Sequence, residues 1–204
     1  MLAIILFSLS KKQIMLENYR IILASNSPRR QELLKGLELN FEIMTIPGLD
    51  ESYPETLKGE EIPLFLAKKK GEAYISYLQD NTMIITADTI VWLENKVLGK
   101  PESREDAVQM LQMLSGKTHQ VFTGVCIKTQ NKEVAFCIAS DVRFAVLTDE
   151  EIVFYVNKYK PYDKAGSYGV QEWIGYIGVE YISGSFYNIM GLPVQKLYTE
   201  LKKF

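Results

Sequence analysis

Two long β-rich runs, His119–Ile127 and Val134–Leu147, are joined by a link whose turn is Gln130-Asn131-Lys132. So short a link returns the chain antiparallel to itself, because parallel neighbours need a crossover of a dozen residues or more. A purely parallel, doubly wound sheet is therefore excluded. Elsewhere strands and helices alternate irregularly. Residues 20–24 read as a strand and 28–36 as a helix, and Phe41 to Thr45 alternates as a second strand. Ile62 to about Leu78 has helical spacing. Met83 to Thr86 is a short buried strand that ends at Ala87-Asp88-Thr89. Ile90 to Leu93 and Lys96 to Leu98 flank a hairpin turn at Glu94-Asn95. Ser103 caps a helix over Arg104–Leu114, and Thr148 starts another, to about Lys158, with Glu151 at the capping-box position. Pro193 to Lys203 reads as a final helix. These elements predict an α/β fold with a mixed, twisted sheet flanked by helices.

No repeat, low-complexity tract or linker interrupts residues 19–204, which read as one domain; residues 1–18 read as an N-terminal tail, with a start at Met15. The apolar run Met1 to Leu9 is too short to span a membrane and lacks the basic region and cleavage site of a signal peptide. A net charge of −2 provides no global basic field for a nucleic acid polymer. Any phosphate recognition must be local, in a pocket for a small ligand. Cys126 and Cys137 lie in apolar runs and read as buried thiols of a cytoplasmic protein, with a disulfide between them left open. No Cys/His cluster has zinc-site spacing.

The local anion site is Ser25-Asn26-Ser27-Pro28-Arg29-Arg30, where the first strand hands over to the first helix. Ser27 suits the N-cap and Pro28 the first helical turn. A helix N-terminus favours anions, and two guanidiniums add forked donors that match phosphate oxygens. The plain alternative is a surface arginine pair beside an ordinary helix.

The phosphate signatures G-x-x-x-x-G-K-[ST] and G-x-G-x-x-G do not occur, and neither does the serine nucleophile elbow G-x-S-x-G. The one histidine, His119, reads as a structural strand residue. What remains is a set of charged residues at strand ends and on loops. Asp88 follows a buried strand and suits metal binding or proton acceptance. Lys100 lies in Gly99-Lys100-Pro101. Lys70 lies on the helix, with Lys68 and Lys69 pointing elsewhere around it. Glu51 sits in the polar loop 47–54. Each alone reads more readily as a solvated surface charge than as a site residue. With Arg29 and Arg30 they form a recipe in which cations neutralise a polyphosphate and a carboxylate handles metal or water.

The strings S-x-S-P-R-R, A-D-T, G-K-P and D-K-A-G-S-Y-G-V-Q, in that order over nearly all of residues 19–204, resemble the Maf family of nucleotide pyrophosphatases. The resemblance implies hydrolysis of nucleoside triphosphates to monophosphate and pyrophosphate with Mg²⁺ or Mn²⁺, in a house-cleaning role. It implies an α/β fold with a central cleft, related to inosine-triphosphate pyrophosphatases, and a homodimer. Asp88 matches the catalytic proton acceptor, with Lys70, Lys100 and Glu51 as further catalytic positions and Asp88 and Glu51 as metal ligands. Ser27, Arg29 and Arg30 match the phosphate-binding stretch; Arg29, Thr89 and Gln171 match specificity positions. In this reading Arg30 mainly holds phosphate, and the Gln171 amide reads a uracil or thymine edge. The last string resembles the dTTP/UTP branch, with one departure: Glu172 stands where a glycine usually follows the glutamine. Rival readings are another phosphoryl-transfer enzyme, an inactive nucleotide-binding module, or a regulator of septum formation that works by binding.

Overall fold

The computed structural model describes Leu16 and residues 18–204. The expected start at Met15 lies outside the described residues, as does nearly all of the expected tail. The sheet has seven strands. β1 (Arg20–Leu23) lies between β2 (Phe41–Ile43) and β3 (Thr82–Leu93), parallel to both. β3 continues antiparallel to β4 (Lys96–Leu98) and β5 (Thr118–Lys128); β5 pairs antiparallel with β6 (Glu133–Phe144), and β6 with the edge strand β7 (Val179–Ser183). The predicted mixed sheet and long hairpin are both present.

The helices are α1 (Pro28–Lys35), α2 (Glu61–Glu72), α3 (Arg104–Leu114), α4 (Asp149–Tyr159), α5 (Trp173–Gly178), α6 (Phe186–Met190) and α7 (Val194–Leu201). Leu33 and Leu34 of α1 and Leu197 and Leu201 of α7 pack with Leu23, Met83, Ile85 and Ala87 on one face of the sheet. α2 covers the opposite face, and α3 and α4 close a second core over the far halves of β3, β5 and β6. Ser103 caps α3 by accepting from Asp106 N, and Thr148 and Glu151 form the predicted capping box of α4. Among the described residues no helix is long and apolar enough to cross a membrane.

Three stretches differ from expectation. β3 does not stop at Thr86. It runs twelve residues, because β5 pairs with it continuously from Ile84 to Trp92. Asp88 is therefore inside a strand, opposite Gly124, rather than on a loop after one. The 62–78 helix ends at Glu72 and gives way to a short 3-10 turn, Ile75–Tyr77. The glycine-punctuated stretch after Gln171 holds α5, β7 and α6. Cys126 and Cys137 are both free thiols; Cys126 is buried as expected whereas Cys137 is only half-buried, and desolvation pushes the pKa of each up to about 12.

Candidate active site

Alternation along β3 divides its residues between the two faces of the sheet. Thr86 and Asp88 face α2; Ala87 packs toward α1 and α7. The Thr86 hydroxyl donates to the Ala67 carbonyl of α2 at 2.6 Å, which sets the helix against the strand. One turn further along α2, the Lys70 ammonium lies 2.6 Å from Asp88 Oδ1. The close approach of α2 requires Gly124 on β5, where a Cβ would meet the Pro63 carbonyl oxygen at 2.2 Å. Packing thus delivers a carboxylate, only 9% exposed, to an ammonium.

Lys70 also reaches Glu51 Oε1 at 2.8 Å, so one cation joins two carboxylates. Burial raises the Glu51 carboxyl, but the Lys70 hydrogen bond and the charges of Lys70, Lys100 and Arg30 outweigh it and hold it below its usual range. The loop carrying Glu51 is pinned by the neighbouring lysine. Lys69 donates to Asp50 Oδ2 at 2.7 Å and to the Ser52 carbonyl at 2.8 Å. Lys69 points away from the cleft, as expected, and fastens the same loop from the preceding helix position. The Tyr74 hydroxyl, just past α2, donates to the Met44 carbonyl and accepts from Ile46 N, fixing the start of that loop.

On the other side of β3 the Arg30 guanidinium donates to the Gly191 carbonyl, the Ala87 carbonyl and Thr89 Oγ1, at 2.8, 2.8 and 3.0 Å. The Thr89 hydroxyl donates onward to Thr123, whose own hydroxyl binds the Asn188 carbonyl. Burial lowers the Arg30 pKa, opposed by the negative charge of Asp88. Three of its five N–H groups are engaged by the protein, so Arg30 braces the β3 backbone at Asp88 as well as leaving two donors for an anion. Ser27 stands at the N-cap position of α1, but its side chain makes no capping bond.

Arg29 turns toward the 159–171 segment, where its Nη1 lies 2.7 Å from Asp163 Oδ2. Asp163 is shared with Lys164 at 2.8 Å; burial raises the Asp163 carboxyl, but the Lys164 and Arg29 hydrogen bonds bring it down to about 2. Gln171 closes this side, and its buried Oε1 has no hydrogen-bond partner among the described residues. One cleft of about 530 Å³ lies between these elements, and Lys100 also borders it. The cleft contains every residue singled out as a site from the sequence: Ser27, Arg29, Arg30, Glu51, Lys70, Asp88, Thr89, Lys100 and Gln171. His119 is outside it. Its Nε2 pairs with the Tyr168 hydroxyl at 2.7 Å, and burial lowers it to about 4, as suits a structural residue.

The profile of a family described as Maf-like protein matches residues 20–204. The chain belongs to the Maf family. Among its Maf relatives, a dTTP/UTP pyrophosphatase of Bacteroides thetaiotaomicron is 64% identical over 188 residues, covering 92% of this chain and 97% of the relative. Proteins of the same name from Parabacteroides distasonis (93% of this chain, 100% of the relative) and Flavobacterium psychrophilum (91% and 94%) are 61% and 50% identical. Among solved structures, a HAM1 protein from Coxiella burnetii matches with a TM-score of 0.47 and 13% identity, over 91% of this chain and all of that one. That likeness is too distant to carry an argument.

Asp163, Lys164 and Tyr155 were not singled out from the sequence. The first two sit inside the D-K-A-G string, which marks the segment. Tyr155 had no signal, because its partners lie across the fold.

Among the described residues no group of three or more His, Cys, Asp or Glu side chains forms a metal cage. The Asp88–Glu51 pair instead fits the way Mg²⁺ binds, through one or two carboxylates together with substrate phosphates.

Proposed function

We propose that this cleft hydrolyses dTTP and UTP to the monophosphate and pyrophosphate, in the cytoplasm. The observation that carries the reading is the buried Asp88 held at 2.6 Å by Lys70 in a cleft ringed by Arg29, Arg30 and Lys100. The pyrimidine preference follows the relatives' names and the free Gln171 acceptor, which suits the N3–H that uracil and thymine share and cytosine lacks.

The triphosphate lies along the α1 N-terminus, with Ser27, Arg29, Arg30, Lys70 and Lys100 around its oxygens. Asp88 orients a water and takes its proton as the water oxygen bonds to the α-phosphorus. The bond from that phosphorus to the α–β bridging oxygen breaks, and pyrophosphate departs with the electron pair. Charge grows on the leaving group, so fixed cations lower the barrier by electrostatic preorganisation. Asp88 and Glu51 would hold a divalent cation, Mg²⁺ or Mn²⁺, which supplies further neutralisation of phosphate charge.

The test is a nucleotide panel of dTTP, UTP, CTP, 5-methyl-UTP and 7-methyl-GTP with pyrophosphate detection, with and without Mg²⁺ or Mn²⁺. Pyrophosphate release from dTTP and UTP well above CTP supports the reading. Release of orthophosphate and a diphosphate overturns it.

A further inference from the structure

Glu172 stands at the N-cap of α5, next to Gln171. Its carboxylate is bound on both oxygens. Oε2 accepts a short hydrogen bond from the Tyr155 hydroxyl of α4, and Oε1 lies 3.1 Å from the Lys164 ammonium. Tyr155 is fully buried; burial first, then the Glu172 hydrogen bond, pushes its hydroxyl up from the usual phenol value, so it stays a donor. The same hydroxyl accepts from Gly169 N at 3.0 Å. Gly169 itself lies against the carboxylate: a Cβ there would meet Glu172 Cδ at 2.7 Å. Lys164, 8% exposed, passes the contact to Asp163, and Asp163 holds Arg29. One carboxylate therefore fixes both ends of the 163–171 segment, which lines the cleft.

We propose that Glu172 is a positioning residue for nucleotide recognition, acting through Lys164 on Arg29 and through Tyr155 and Gly169 on Gln171. Glu172 does not itself line the cleft. The proposal rests on the nucleotide reading above. A glycine at 172 leaves Lys164 with Asp163 as its one counter-charge and removes the carboxylate link to Tyr155, so that the Gly169 N–H bond to the same hydroxyl holds that end without it. A buried ammonium and hydroxyl that lose a charged partner lose a strong hydrogen bond each.

The experiment compares wild type, Glu172→Gln and Glu172→Gly. Steady-state kinetics with dTTP and UTP is paired with calorimetric binding of the non-hydrolysable α,β-imido-dTTP. A positioning role predicts analogue binding and KM weakened about tenfold in Glu172→Gly, a smaller loss in Glu172→Gln, and kcat reduced far less than KM is raised. Unchanged analogue binding and KM in both variants overturns it, as does a kcat loss with KM unmoved. If neither Glu172 variant folds, Tyr155→Phe decides, since it removes one hydroxyl from the same contact. Weakened analogue binding at an unchanged melting temperature supports the role, and unchanged binding overturns it. A wild type that releases no pyrophosphate from dTTP or UTP counts against the proposed activity; wild-type-like analogue binding by the variants counts against Glu172.

Discussion

At one end of the cleft, Asp88, Lys70 and Glu51 stand on a central strand, a helix packed across it and a pinned loop. At the other, Arg29, Asp163, Lys164 and Glu172 hold an irregular segment by ion pairs. The first end gets its geometry from packing: Gly124 lets α2 approach, and Thr86 bonds to Ala67 to set the register. The second gets it from charge, through a chain that runs from Arg29 to Tyr155. Bond-making chemistry tolerates little displacement, and a packed strand and helix provide that rigidity. A recognition segment is free to vary with the nucleotide it accepts, and side-chain ion pairs can be exchanged without rebuilding the sheet.

The difference can be probed from its largest effect to its smallest. Asp88→Asn should lower pyrophosphate release by about a thousandfold, in line with the loss of a positioned general base, while α,β-imido-dTTP still binds. A variant that kept more than a tenth of the wild-type rate would move the chemistry elsewhere. Gly124→Ala forces a Cβ into the Pro63 backbone, so urea unfolding should show a loss of about 3 kcal/mol or more. A near-neutral result would mean that α2 is not clamped as described.

Acid should loosen the recognition end. His119 bonds Tyr168 within the 163–171 segment, and its folded-state value of about 4 lies below the ordinary 6.5. Between those values the unfolded chain binds the proton and the folded one does not. Stability is therefore lost as pH falls from 7 toward 4, by about 2 kcal/mol at pH 5 from this group alone. Urea titrations at both pH values, with His119→Gln as the control that lacks the term, isolate it. A wild type and a control with the same pH dependence would contradict it. Smallest of all, Thr148→Ala removes the capping box of α4, the helix that carries Tyr155, and should lower stability by about 1 kcal/mol. Its kcat should stay within twofold of wild type.

How much of this was legible in the sequence follows the same division. The caps at Ser103 and Thr148, the Glu94-Asn95 hairpin and the β5–β6 pairing are local, so residue type alone places them. Glu94 and Asn95 do adopt the left-handed conformation such a turn requires. Asp88, Lys70 and Arg30 could be chosen because phosphate chemistry limits the residue types available. Their distances could not, because they depend on how far β3 extends and on which face alternation turns each side chain. The partnership of Tyr155 with Glu172, and of Arg29 with Asp163, joins segments remote in sequence through single contacts. No periodicity or spacing encodes such contacts. The anchoring role of Lys69 is hidden in the sequence for a related reason. Helical spacing puts it a third of a turn from Lys70, and only the folded loop brings Asp50 and Ser52 to it.

The most direct test of the account is to hydrolyse dTTP in ¹⁸O-labelled water and locate the label by mass spectrometry. Attack at the α-phosphorus by a water held at Asp88 predicts ¹⁸O in the thymidine monophosphate and unlabelled pyrophosphate. Label in the pyrophosphate, or products of dTDP and orthophosphate, would contradict it.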